Sequence, residues 1–174
     1  MERKITYRWT RPEDGAALVR LHRRSILLHA VRSYTPDIAR SWAYDMQPER
    51  FAKAIAKGEA IEVAILNGAV VGFCGTKDDE IAGLYVDPAF TRRGVASGLM
   101  RRALKRVRAE GWDRVRVNAA LSGVPFYEAA GFRPLAARMH ATRGGCEMLI
   151  VEMVLDGLAE LRNRSPRAEA ACAS

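Results

Sequence analysis

Two adjacent arginines, Arg92 and Arg93, stand directly before Gly94 and the start of a helical pattern at Val95. Upstream, the apolar run Leu84-Tyr85-Val86 meets Asp87-Pro88. Proline has no N–H to donate, so a strand stops there. Thr91 to Gly94 then turns the chain into the helix. The first N–H groups of a helix, here around Val95, Ala96 and Ser97, are unpaired and carry partial positive charge. Gly94 has no side chain to keep a ligand away from them. A strand end, a glycine turn, two cations and a helix N-terminus together make a diphosphate site.

Other residues with chemical capacity are scattered. Asp79 and Glu80 form a carboxylate pair where a solvated hairpin is the ordinary reading. His22 and His29, seven apart, share one helix face; they line a pocket or, more commonly for such residues, are half-buried and structural. Cys74, Cys146 and Cys172 are widely spaced and fit neither a disulfide framework nor a metal site, so no metal is expected.

The elements that must position these residues follow from periodicity. Ile5 to Trp9 alternates as a strand, and Ala17 to Leu28 has helical spacing. Pro36 opens a short helix through Tyr44, and Gln47-Pro48-Glu49 another that Gly58 ends. Ala60 to Leu66 and Ala69 to Gly75 are strands joined by Asn67-Gly68, a strong hairpin signal; Glu80 to Val86 is the third of this meander. The glycine turn therefore hangs from an antiparallel sheet, which argues against a Rossmann-type dinucleotide site. From Val95, apolar residues at Ala96, Leu99, Met100, Ala103, Leu104 and Val107 form one stripe up to Gly111. Arg114 to Asn118 is a strand, Ser122 a candidate N-cap for a helix over 124–130, and Glu147 to Leu155 the last strand. Arg143-Gly144-Gly145 reads as a mobile turn, and the segment 159–174 as a loosely ordered tail after one domain over 1–158.

With 174 residues, 49% hydrophobic and 28% charged, the chain suits one globular domain with a real core. No apolar run approaches the roughly 18 residues of a membrane span, and Met1 to Lys4 leads into a strand without an apolar signal core, so a cytoplasmic protein without membrane contact is expected. The net charge is +8, and Thr91 to Arg116 alone carries nine Arg or Lys against two acids, a net +7. That excess sits beside the proposed diphosphate site and would attract an anionic ligand. Nucleic acid is not expected as a partner, because no aromatic residues interleave with the cations as a stacking platform requires.

The Leu84–Ser97 stretch resembles the cofactor signature of the GNAT superfamily, the acyl-CoA N-acyltransferases: Val86, Pro88, Gly94 and Ala96 fit, and Thr91 stands where Gln or Arg is usual. Val124 to Phe132, with Phe126-Tyr127-Glu128 and Gly131-Phe132, is similar to a second motif of that family. The resemblance spans roughly Ile5 to Leu155. It implies an α/β (α+β) fold with a mixed, mostly antiparallel twisted sheet of about six or seven strands flanked by helices. It also implies N-acetyl transfer from acetyl-CoA to a primary amine, taken here as that of a small molecule, in a ternary complex. The backbone N–H groups of Leu84, Tyr85 and Val86 would hold the pantetheine arm, with Asn118 and Phe126 beside it. Tyr127 would protonate the leaving thiolate, and Glu80 would serve as base. Ser25, His29 and Tyr34 would contact the acceptor, while Trp42 is read as covering the core. A homodimer is an expectation at the level of the family. The alternatives are an acetyltransferase of a macromolecule (a protein N-terminus, a lysine or aminoacyl-tRNA) and a non-catalytic acyl-CoA-binding module.

Overall fold

The structure is a computed structural model that describes residues 4–159. One seven-stranded sheet carries β1 (Thr6–Trp9), β2 (Ala60–Leu66), β3 (Ala69–Lys77), β4 (Glu80–Val86), β5 (Arg114–Ala120), β6 (Arg133–Ala141) and β7 (Glu147–Asp156). Their spatial order is β1-β2-β3-β4-β5-β7-β6. The helices are α1 (Gly15–His29), α2 (Pro36–Trp42), α3 (Glu49–Ala56), α4 (Val95–Ala109) and α5 (Val124–Ala129). All strand pairs are antiparallel except β4 with β5. The α/β architecture expected from the sequence is thus the one observed.

The meander forms as its turn residues dictate: Asn67 and Gly68 have φ of 53° and 78°, the two positive values a tight hairpin turn needs. Alternation then divides the sheet's faces. Ile61 and Val63 of β2 face one helical layer with Leu18 and Leu21 of α1 and Phe51 of α3. Ala64 and Leu66 face the other, where Val95, Leu99, Met100, Ala103 and Val107 of α4 are buried. Gly72 on β3 lets α4 come close, because a Cβ there would lie 2.8 Å from Val95 Cγ1.

The consequential irregularity is in the middle of the sheet. Gly75 pairs with Gly83 and Thr76 with Ile81, so Ala82 is an extra residue that bends β4. Past the bulge β4 leaves β5: their parallel pairing is confined to Glu80 with Arg116 and Ile81 with Val117. β5 stays with β7 up to Ala120. A fork opens between β4 and β5.

Three expectations are corrected. Ser122 does not cap α5; it sits in a 3₁₀ turn, Leu121–Gly123, and Gly123 takes the N-cap position without a side-chain bond. The Arg143–Gly145 turn is fastened rather than free, since Ser41 O accepts from Gly144 N (2.9 Å) and Ser41 Oγ from Cys146 N (3.1 Å). β3 and β5 run two residues beyond their expected ends, because each keeps a partner strand there. The expected loose tail lies, from residue 160 on, outside the described residues. Among the described residues, no helix is long and apolar enough to cross a membrane.

Candidate active site

The fork is hollow on both sides. A first chamber of about 290 Å³ is bounded by Leu84, Tyr85 and Val86 of β4 and by Val117 and Asn118 of β5. Past Ile81 these β4 residues have no β5 partner, so their backbone edge on that side is available to a ligand. Phe126 and Tyr127 of α5 close one end of the chamber; Ser25 and His29 of α1 roof it, and Ala96 of α4 reaches its rim.

The turn before α4 adjoins it. Arg92 and Gly94 both have positive φ, 60° and 79°. For arginine this is a strained conformation, sustained here by the surrounding turn. A Cβ on Gly94 would meet nothing within 4 Å, so the space above the helix start is open. Thr91, Arg92, Arg93 and Gly94 are all exposed. Asp87 accepts from Ala89 N (2.9 Å) and pairs with Arg24 (3.1 Å), which fixes the strand exit. Arg93 lies 5.6 Å from the Phe90 ring centroid.

The basic stretch is less uniform than its composition suggests. Arg102 pairs with Glu62, Arg106 with Glu110, Arg114 with Asp156 and Arg116 with Asp79. Arg92, Arg93, Arg101, Lys105 and Arg108 have no ion pair among the described residues. The unpaired charge therefore includes the two arginines at the glycine turn, while a large share of the rest is structural.

Tyr127 is 7% exposed, packed against Phe126 and Phe132 at 5.4 Å between ring centroids. Tyr127 lines the first chamber, and its hydroxyl makes no hydrogen bond among the described residues. Burial, reinforced by nearby Cys74 and Tyr85, raises its pKa above the usual phenol value. It thus holds its proton across the physiological range.

A second chamber of about 410 Å³ lies on the other side of the fork and shares Trp42, Ala82, Gly83, Tyr85, Asn118 and Ala120 with the first. Its walls are polar. Glu80 and Glu59 stand on one side, and Arg50, Arg138 and Arg143 come from α3, β6 and the β6–β7 turn. Asn118 links these groups: its Nδ2 donates to Glu80 (3.3 Å) and its Oδ1 accepts from Arg138 (2.8 Å). Burial raises the Glu59 carboxyl pKa; Arg50 opposes the shift and Glu80 adds to it. His22 is buried against Tyr85, 3.8 Å between centroids, with neither ring nitrogen bonded. Burial, with Arg50 adding to it, pushes its pKa down to about 3, so it is neutral.

The arrangement has a form that suits two substrates: an apolar slot with free backbone on one side, a polar chamber on the other, and lining residues common to both. The model of the Acetyltransferase (GNAT) domain matches residues 30–155. The chain belongs to the GNAT acetyltransferase family. It is 31% identical over 140 residues to the uncharacterized N-acetyltransferase YafP of Escherichia coli K12, covering 80% of this chain and 89% of that protein. Its fold matches a crystal structure described as a GCN5-related N-acetyltransferase (aminotransferase, class-II) from Rhodopseudomonas palustris, with TM-score 0.82 and 25% identity over 90% of this chain and 98% of that one. It also matches the PaiA N-acetyltransferase of Thermoplasma acidophilum in complex with coenzyme A, with TM-score 0.70 and 19% identity over 88% and 99% of the two chains. The GNAT domain and these relatives make the protein an acyl-CoA-dependent N-acetyltransferase.

Within this GNAT chain the residues singled out from sequence divide clearly. Leu84, Tyr85, Val86, Asn118, Phe126 and Tyr127 converge on the first chamber, with the Arg92–Ser97 turn beside it. Ser25 and His29, expected at the acceptor, line this first chamber and not the second. Tyr34 lines neither: its hydroxyl donates to Leu149 O (2.6 Å) and accepts from Leu121 N (2.8 Å), tying the 3₁₀ turn after β5 to β7. Trp42 packs against the core, as expected, and also lines both chambers. Glu59, Arg50, Arg138 and Arg143 were not anticipated. The one signal in the sequence was Glu59, a lone acid between the Gly58 helix stop and an apolar strand.

Proposed function

We propose that the protein moves the acetyl group of acetyl-CoA to a primary amine of a small molecule by direct attack in a ternary complex. The observation that carries this reading is the junction of the two chambers at the β4–β5 fork. An acyl donor in the first chamber and an amine in the second would meet there without either displacing the other. The free edge of Leu84 to Val86 would hold the pantetheine arm, and one of its N–H groups would face the thioester oxygen as charge develops. Arg92, Arg93, Gly94 and the N–H groups of Val95 to Ser97 would take the diphosphate.

In the reaction a C–N bond forms and a C–S bond breaks. Glu80, held by Asn118, accepts the proton that the amine must lose, directly or through water. The Tyr127 hydroxyl gives its proton to the leaving thiolate. With a phenol near 10 and a thiol near 8.5 this transfer is slightly uphill, and burial of Tyr127 steepens it. The proton is therefore delivered only to a thiolate already in place. Cys74 and Cys146 are free thiols, which accords with a cytoplasmic enzyme. A homodimer remains a separate proposal, to be decided by sedimentation.

The test is the thermal shift of the purified protein with acetyl-CoA, CoA and NAD, repeated with Arg93→Ala. A ligand at a hundredfold excess over Kd stabilises the native state by about 2.7 kcal/mol. The expected result is a rise with both CoA species that Arg93→Ala reduces, and none with NAD, followed by thiol release on an amine panel. No rise with either CoA species would overturn the reading. Thiol release only with proteins or tRNA would replace the small molecule by a macromolecule.

A further inference from the structure

We infer that the acceptor is a compact amine that also carries an anionic group, an amino-acid-like molecule. This rests on the reading that the second chamber takes the acceptor. Three guanidinium groups, Arg50, Arg138 and Arg143, line that chamber against two carboxylates, Glu59 and Glu80. Elsewhere arginines next to acids pair closely, as Arg8 does with Asp14 and Arg116 with Asp79. The three chamber arginines have no ion pair among the described residues. Arg50 Nη1 is buried with no hydrogen-bond partner at all. Arg138 donates to the neutral Asn118, and Arg143 to the Trp42 carbonyl at 3.4 Å. Most of their donors are thus unspent. Glu152, opposite Asn118 in the β5–β7 register, does not line the chamber and leaves this excess of positive charge in place.

A guanidinium presents a planar fork of donors that matches a carboxylate or phosphonate with two parallel hydrogen bonds. The Arg50 Nη1 donor, desolvated without a partner, is costly, and an anionic ligand would relieve that cost, while the exposed Arg138 and Arg143 add further donors open to water. The two ends of the acceptor are sorted by position. Asn118 lines both chambers and sits between Glu80, which suits the amine at the fork, and Arg138, which suits an anion one hydrogen bond away. His22 also lines this chamber, with both ring nitrogens buried and unbonded. A polyamine fits poorly, since three cations would repel its remaining charges.

The experiment is calorimetric binding to the CoA-loaded protein, where no acetyl group is present to turn over. The probes are the proteinogenic amino acids and aminomethylphosphonate, the methyl esters of the amino acids, and spermidine. At least one anionic probe is expected to bind with a Kd at least tenfold below that of its ester. Arg138→Gln, on the exposed edge strand, and Arg50→Gln should each weaken that probe about 10- to 100-fold while moving the ester less than twofold. The proposal is overturned if no anionic probe binds, if esters or spermidine bind as well, or if the variants weaken acid and ester alike. A thermal shift with CoA, run in parallel, separates the failures. Its absence would sink the proposed function, whereas a CoA shift without anion preference would sink this inference alone.

Discussion

The first chamber is walled by β4, β5, the start of α4 and α5, all within some forty-five residues from Ala82 to Tyr127 apart from the α1–α2 roof. The second draws its polar groups from α3, the segment before β2, β4, β5, β6 and the β6–β7 turn. The first is mostly apolar and offers unpaired main-chain groups; the second is lined by charged side chains. β6 is exposed along its whole length, and its Arg138 reaches Asn118 of β5 with a 2.8 Å hydrogen bond. On the proposed assignment, a donor shared by many enzymes would be held by groups that tolerate sequence change, and an acceptor particular to one enzyme by side chains that a few substitutions would alter.

The largest effect should come from the first chamber's one positioned proton. Tyr127→Phe keeps the aromatic packing with Phe126 and Phe132 and removes only the hydroxyl. It should lower kcat about 10²- to 10⁴-fold with the acetyl-CoA Kd unchanged, read by thiol release and calorimetry. An unchanged kcat would move thiolate protonation to water. In the second chamber, Glu80→Gln should lower kcat/KM at pH 7 about 10²-fold, and Glu59→Gln less than tenfold. The reverse order would transfer the base role to Glu59. Glu59 also bears on stability: its folded-state pKa is raised, so it favours the fold at low pH and that gain is lost as pH rises through the folded value. Glu59→Gln should abolish this loss in urea titrations.

His22 sharpens the contrast further, because its imidazole in the second chamber is buried, whereas the His29 imidazole in the first is only partly so. The folded-state pKa of His22, about 3, lies below the ordinary 6.5, so its contribution is full above pH 6.5 and lost as pH falls toward 3. Between pH 6.5 and 4.5 the loss should reach about 2–3 kcal/mol. His22→Phe, set among Phe51, Phe73 and Tyr85, should show none of that acid sensitivity in urea unfolding at the two pH values. Equal sensitivity in both proteins would mean that the ring is hydrated in solution.

What could be read in advance follows the same division. Asn67-Gly68, Pro88, Gly94 and Gly111 are local punctuation, so the meander, the strand exit and the bounds of α4 were legible to within a residue or two. The fork was expected only through the family resemblance, which implies free N–H groups at Leu84 to Val86; the residues themselves do not announce it, because it depends on a bulge at Ala82. His22 and His29 were read as sharing one face of α1, but how α1 crosses the sheet puts His22 against the second chamber and His29 against the first. Arg138 and Asn118 are twenty residues apart and meet only because β7 lies between their strands. Tyr34 looked like a pocket residue because an aromatic hydroxyl in a variable segment reads the same whether it meets a ligand or, as here, two backbone groups.

The smallest predicted effect tests the basic stretch, where composition and structure part company. Arg93 and Arg102 are nine positions apart and indistinguishable as charges, yet Arg102 is spent on Glu62 and lies 5.1 Å from the Tyr7 ring centroid, while Arg93 has no ion pair among the described residues. Arg93→Ala should raise the acetyl-CoA Kd about tenfold at low salt, and the difference should shrink near 1 M salt as screening shortens to about 3 Å. Arg102→Ala should leave the Kd within twofold and lower stability by about 1 kcal/mol, because Glu62, 8% exposed, loses its partner. If both substitutions weakened acetyl-CoA equally, the ligand would be drawn by the summed field of the helix face, and the turn would have no special claim on the diphosphate. If only Arg93→Ala did, the first chamber's mouth would be a built site rather than a basic surface.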